Sequence, residues 1–164
     1  MVPSEHREHL AVSLESTLPI RTLATLTFPG DVEAHDISRD ARFSEFIQGV
    51  QATTHQTIGW VRADEATTLQ TSKGTTRPHL HAALIAAAPI SEETVVSTWQ
   101  AVTGSNATTS CVAQSFIQGM GGISYLLKEG SYSFSPNIHL FNPATDPASL
   151  SRGERRTYRR IHDI

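Results

Sequence analysis

The order in which strand and helix signals follow one another is the strongest constraint on what this chain can fold into. Residues 20–28 (Ile-Arg-Thr-Leu-Ala-Thr-Leu-Thr-Phe) are rich in β-branched and apolar side chains and stop at Pro29-Gly30, which predicts a strand and then a turn. Asp36-Ile37-Ser38 opens a helical stretch through about Gln51. On it Ile37, Phe43, Phe46, Ile47 and Val50 keep close to a helical period, with Asp36 or Ser38 as the cap. Residues 57–65 predict a second strand, 66–77 a polar turn region containing Lys73-Gly74, and 78–88 a third strand. Ser91-Glu92-Glu93 caps and starts a helix that carries Val95, Val96, Trp99 and Val102 and is closed by Gly104. Residues 107–118 predict a fourth strand. Residues 119–122 hinge into a short helix through Lys128 with Gly130 as its stop, and 136–141 form a short terminal strand. The order β-α-β-β-α-β is the split-βαβ arrangement: an α+β fold of ferredoxin or RRM type, with two helices on one face of an antiparallel sheet and the other face open.

A length of 164 residues suits one domain with a real core, and 38% hydrophobic with 18% charged residues suits a soluble globular chain. Residues 1–18 are polar and mixed, expected as a frayed arm or short helix ahead of a domain at 19–142, with a basic tail at 143–164. No apolar run is long enough to span a membrane; residues 82–90 fall short. The start Met-Val-Pro-Ser-Glu-His-Arg-Glu lacks the basic-then-apolar order of a secretory signal. The single cysteine, Cys111, excludes an internal disulfide and a thiolate-rich zinc site, and fits a reducing, cytoplasmic setting. A formal charge of −3 weighs against a nucleic-acid binder, but Arg152, Arg155, Arg156, Arg159 and Arg160 crowd the tail with Glu154 the only acid among them. Such a tail can touch a phosphate backbone or simply be a solvated end.

Two local patterns carry chemistry. On a strand, alternate residues share a face. His79, His81, Ala83 and Ile85 therefore point one way and Leu80, Ala82 and Leu84 the other, and two adjacent imidazoles suit one divalent ion. Glu65, near the end of the preceding strand and in phase with Val61 and Ala63, can come opposite them in an antiparallel pair and add an oxygen ligand; Asp64 would point to the other face. Residues three apart on a helix also share a face, which pairs the Tyr125 phenol with the Lys128 ammonium. A lysine there can favour phenolate or stabilise developing phosphate charge. Each pattern has an ordinary counterpart: exposed histidines on one side, a packing tyrosine with a solvated lysine on the other. Trp60 and Trp99 are expected in the core.

Together these residues resemble the HUH endonuclease superfamily, in particular the rolling-circle replication initiator (Rep) nucleases of plasmids and small single-stranded DNA viruses. Ala24-Thr25-Leu26-Thr27-Phe28 is similar to the family's first motif, Pro78-His79-Leu80-His81 to its histidine-hydrophobe-histidine motif, and Tyr125-Leu126-Leu127-Lys128-Glu129-Gly130 to its Tyr-x-x-Lys motif. The three occur in the family's order over residues 20–130. The resemblance implies that His79, His81 and Glu65 hold Mg²⁺ or Mn²⁺, and that Tyr125 attacks a phosphate of single-stranded DNA at an origin hairpin. It also implies a 5′-phosphotyrosine link that can be run backwards to join strands, with Lys128 orienting or neutralising the phosphate.

On the same resemblance, residues 19–142 form the endonuclease domain of a one-tyrosine enzyme. Host replication proteins are candidate partners, in the cytoplasm of a bacterial or archaeal host or the nucleus for a eukaryotic virus. A helicase domain follows the nuclease in many viral members and none is seen here, so a standalone nuclease or a truncated form is expected. Alternatives within the superfamily are a conjugative relaxase, disfavoured because no tyrosine precedes Tyr125, and a single-strand transposase, disfavoured by Lys128. From another class, an RNA-binding module of RRM type expects aromatics on the central strands, which the third strand lacks. A zinc deaminase needs paired cysteines that are absent.

Overall fold

A computed structural model of the chain describes residues 4–28, 36–65, 70–71, 74–75, 79–104, 111–128 and 132–141. The Pro29-Gly30 turn, Pro78, Glu129-Gly130 and the arginine-rich tail lie outside the described residues, as do the side chains of Asp36 and Ser38. The elements run α1 (Ser4–Thr17), β1 (Ile20–Thr27), α2 (Asp36–Thr54), β2 (Gly59–Glu65), β3 (Gln70–Thr71), β4 (Gly74–Thr75), β5 (His79–Ile85), α3 (Glu92–Thr103), β6 (Cys111–Ser115), α4 (Gly122–Leu127) and β7 (Tyr132–Phe134), then a 3₁₀ turn at Ile138–Phe141. β3 and β4 pair with each other as a separate two-stranded sheet among the described residues; the remaining strands form one antiparallel sheet in the order β6-β1-β5-β2-β7. Strands β6, β1, β5 and β2 have the ferredoxin-like α+β arrangement, and β7 extends the β2 edge. No helix among the described residues is long and apolar enough to cross a membrane.

The alternation of β5 separates two cores. Leu80, Ala82 and Leu84 face α2 and α3, where they pack with Leu26, Phe28, Phe43, Phe46, Val50, Val95 and Trp99. Ala83 and Ile85 face the other way, onto Val61, Ala63, Ile123, Leu126 and Leu127. Trp99 is fully buried, stands edge-on to Phe28 and Phe46, and donates from Nε1 to the Thr27 carbonyl at 3.1 Å. Trp60 is partly buried against Phe43. Helix α3 begins and ends on its sequence signals: the Ser91 hydroxyl accepts from Thr94 N at 3.1 Å, and Gly104 closes it in the left-handed region at φ 68°.

Three features depart from expectation. The terminal strand is Tyr132–Phe134, not residues 136–141. The Ser135 hydroxyl accepts from Trp60 N and Ser135 N donates to Trp60 O, after which Pro136, with no N–H, ends the ladder and the chain turns into 3₁₀. A β-bulge at Ile20/Thr22 shifts the register of β1, so that Ile20 packs with Ile85 while Thr22 and Ala24 share the α2/α3 face. The sheet face away from α2 and α3 is open only in part. Residues 4–17 form a regular helix, and its Ala11 and Leu14 pack with α4 over the Ala83/Ile85 end of that face.

Two tests follow from this packing. Trp99→Ala lowers stability by about 3–5 kcal/mol, read as a drop in urea midpoint with an unchanged m-value; Trp99→Phe loses less because its ring contacts persist. Burial pushes the Cys111 thiol up to about 12, above its ordinary value of ~8.5. The neutral buried thiol thus contributes stability that is complete below ~8.5 and lost as pH rises toward about 12. The stability gap between wild type and Cys111→Ala therefore moves against the wild type between pH 8 and pH 10.5 in paired urea titrations.

Candidate metal centre and tyrosine helix

The antiparallel register of β5 with both neighbours sets the site. Thr27 and Glu65 flank His79, and Thr25 and Ala63 flank His81. Because these rows share a face, Glu65 reaches both imidazoles: Oε2 lies 2.9 Å from His79 Nε2, and Oε1 lies 3.8 Å from His81 Nε2. One ligand atom from each of Glu65, His79 and His81 falls within 4.8 Å of the others, and all three side chains are partly buried. Two borderline nitrogens and one hard oxygen on one face are a donor set that could hold a divalent ion.

Among the described residues the cluster holds those three, and the strand parity around it accounts for that. Asp64 points to the opposite face, where both its oxygens take the Arg62 guanidinium at 2.7 and 2.8 Å. Burial alone would lower the pKa of Arg62, but the carboxylates of Asp64 and Asp40 outweigh it and hold the group above its ordinary value. Asp64 is thereby committed to charge pairing on the helical side of the sheet. Thr25, which the sequence marked only as part of a strand motif and not as a site residue, also belongs to the site. Its hydroxyl is 3.0 Å from His81 Nδ1. A hydrogen bond at Nδ1 fixes the ring and directs Nε2 toward Glu65, the usual way a protein orients a ligating histidine. The alternation of β1 was the available signal, since Thr25 lies directly across from His81.

Tyr125 and Lys128 arrive from above. Tyr125 is 54% exposed, and its ring stands edge-on to His81 with centroids 5.5 Å apart. Lys128 Nζ lies 4.1 Å from the centre of the Tyr125 ring and 3.8 Å from Glu65 Oε1, so the ammonium bridges the phenol and the carboxylate. Helix α4 is only six residues long and enters through backbone that L side chains rarely adopt, Gly119 at φ 81° and Gly121 at φ 77°. Gly122 lies close against the Leu23 side chain, so a side chain there would require Leu23 to shift. Beside Tyr125 a cleft of about 500 Å³ runs over β1 and β6, lined by Thr25, His81, Val112, Gln114 and Met120.

The five residues singled out from sequence, Glu65, His79, His81, Tyr125 and Lys128, thus meet in one place. A chain folded in this way has a candidate cation site beside an accessible phenol and an ammonium. Comparison with protein-family models, with curated proteins and with solved structures gave no match to this chain.

Replacing Thr25 tests the orienting bond directly. Thr25→Val weakens Mn²⁺ binding about 10–100-fold in calorimetric titration, whereas Thr25→Ser, which keeps the hydroxyl, stays near wild type.

Proposed function

We propose that this chain is a one-tyrosine endonuclease of HUH type that nicks and rejoins single-stranded DNA to initiate rolling-circle replication. The observation that carries the reading is the convergence of Glu65, His79 and His81 with an exposed Tyr125 under Lys128. Each element of phosphodiester transfer then has a residue.

Glu65, His79 and His81 would hold Mg²⁺ or Mn²⁺, the imidazole pair favouring Mn²⁺ among the two. The bound ion supplies Lewis-acid polarisation of the scissile phosphate. Oη of the exposed Tyr125 forms a bond to phosphorus as its proton passes to water, the bond from phosphorus to O3′ breaks, and O3′ takes up a proton from water. The products are a 5′-phosphotyrosine and a free 3′-hydroxyl, and the reverse attack by a 3′-hydroxyl rejoins a strand. Lys128 stands where its charge offsets both the phenolate and the phosphate. Thr25 keeps the His81 ring aligned through the cycle. The cleft over β1 and β6 leaves an unpaired strand room to approach Tyr125. A relaxase or a single-strand transposase would use the same chemistry. A non-catalytic RNA-binding module draws less support, because β1 and β5 present Thr25, Thr27, His79 and His81 on this face rather than aromatics.

The test is incubation with Mn²⁺ and a pool of 3′-labelled single-stranded hairpins with randomised loops, followed by a denaturing gel. The expected result is label bound covalently to protein, abolished by Tyr125→Phe, by His81→Ala and by chelation. Glu65→Ala lowers the rate by about 10²-fold or more, the cost of losing a phosphate-positioning ligand. An adduct that survives Tyr125→Phe removes Tyr125 as the nucleophile.

A further inference from the structure

We propose that α1 is a clamp for the tyrosine helix, with Glu8 and Glu15 as positioning residues for Tyr125; this rests on the nucleophilic role given to Tyr125 above. The need for a clamp comes from α4 itself. A helix of six residues has too few internal hydrogen bonds to hold its own shape. It is also entered through Gly119 and Gly121, whose backbone freedom leaves its approach angle undetermined by the chain. Something outside α4 must fix where the phenol stands relative to Glu65, His79 and His81.

Helix α1 does so at two points flanking the hinge. Glu15 Oε2 accepts from the backbone N–H of Gly119 at 3.0 Å, at the start of the turn that leads into α4. Glu8 Oε1 accepts from the Ser124 hydroxyl at 2.6 Å, one residue before Tyr125. Glu8, Ala11 and Glu15 fall on one helical face. Between the two carboxylates, Ala11 and Leu14 are buried in the cluster that holds Ile123, Leu126 and Leu127. The polar contacts thus fix direction while the apolar ones fix distance. The ligand set is built independently of α1, on β2 and β5. Neither Glu8 nor Glu15 touches a ligand residue, so α1 acts directly on the tyrosine helix and reaches the ligand set only through the contacts of Tyr125 with His81 and of Lys128 with Glu65.

The experiment uses the full chain and two variants, Glu8→Ala/Glu15→Ala and Glu8→Gln/Glu15→Gln, with three readouts. In the alanine pair, hydrogen exchange over residues 119–127 speeds up about tenfold or more while β1 and β5 keep their protection. Mn²⁺ affinity stays within about twofold, since neither carboxylate shares a partner with the ligand set. Adduct formation on the labelled hairpin pool at saturating Mn²⁺ falls by about 10²-fold, the usual cost of a misplaced reacting group. The glutamine pair, whose amide oxygens still accept both hydrogen bonds, restores exchange and adduct formation toward wild type. Unchanged exchange over 119–127 in the alanine pair overturns the clamp, and faster exchange with undiminished adduct overturns its role in positioning. Should the wild type form no adduct, the proposed chemistry fails, and the exchange measurement alone decides whether α1 holds α4.

Discussion

The pairing register of β5 between β1 and β2 is the constraint on which everything else depends. It places Glu65 beside His79 and Thr25 beside His81. A slip of one residue would send both imidazoles into the α2/α3 core and Leu80 onto the open face. The register is secured because β5 is buried on both sides. Leu80, Ala82 and Leu84 are fully buried in one cluster, and Ala83 and Ile85 in the other. The histidines occupy the one stretch of the strand where the second cluster ends, so the same alternation that builds the core also brings the ligands to the open face.

Charge is sorted by the same alternation. Neighbouring acids on β2 have opposite fates: Asp64 joins Asp40 around the buried Arg62 guanidinium, and Glu65 turns to the histidines and Lys128. Pairing on the helical side keeps a buried cation satisfied, which would otherwise be costly. It also leaves Glu65 as the single carboxylate at the candidate metal centre among the described residues. A chain with both acids on one face would offer a different ligand count and a different local charge.

Much of this was legible in the sequence because strand parity is a local property. The face of His79 and His81, the phase of Glu65 and the opposite direction of Asp64 all follow from a period of two, and the structure has them so. The helix from Glu92 to Thr103 was equally legible, since Ser91 and Gly104 are local signals that need no partner. What was not legible depended on distant residues. The end of β7 is set by Ser135 bonding to Trp60 across the sheet. The bulge in β1 and the bond from Thr25 to His81 likewise exist only once the strands are paired.

The polar stretch at the N-terminus shows the division most clearly. Taken alone, residues 4–17 carry few apolar positions and no partner for Ala11 or Leu14, so an arm and a helix were both consistent with them. Only when α4 lies across the sheet does that stretch gain a surface to pack on and hydrogen bonds for Glu8 and Glu15 to accept. The sequence by itself determined which side chains share a face, because backbone geometry in strands and helices is periodic. Tertiary structure alone decided how the sheet face is divided between α1, α4 and the open cleft, and how Tyr125 is aimed at the histidines. Those depend on contacts between segments more than a hundred residues apart, from Glu8 and Glu15 to Ser124 and Gly119, which no local pattern encodes.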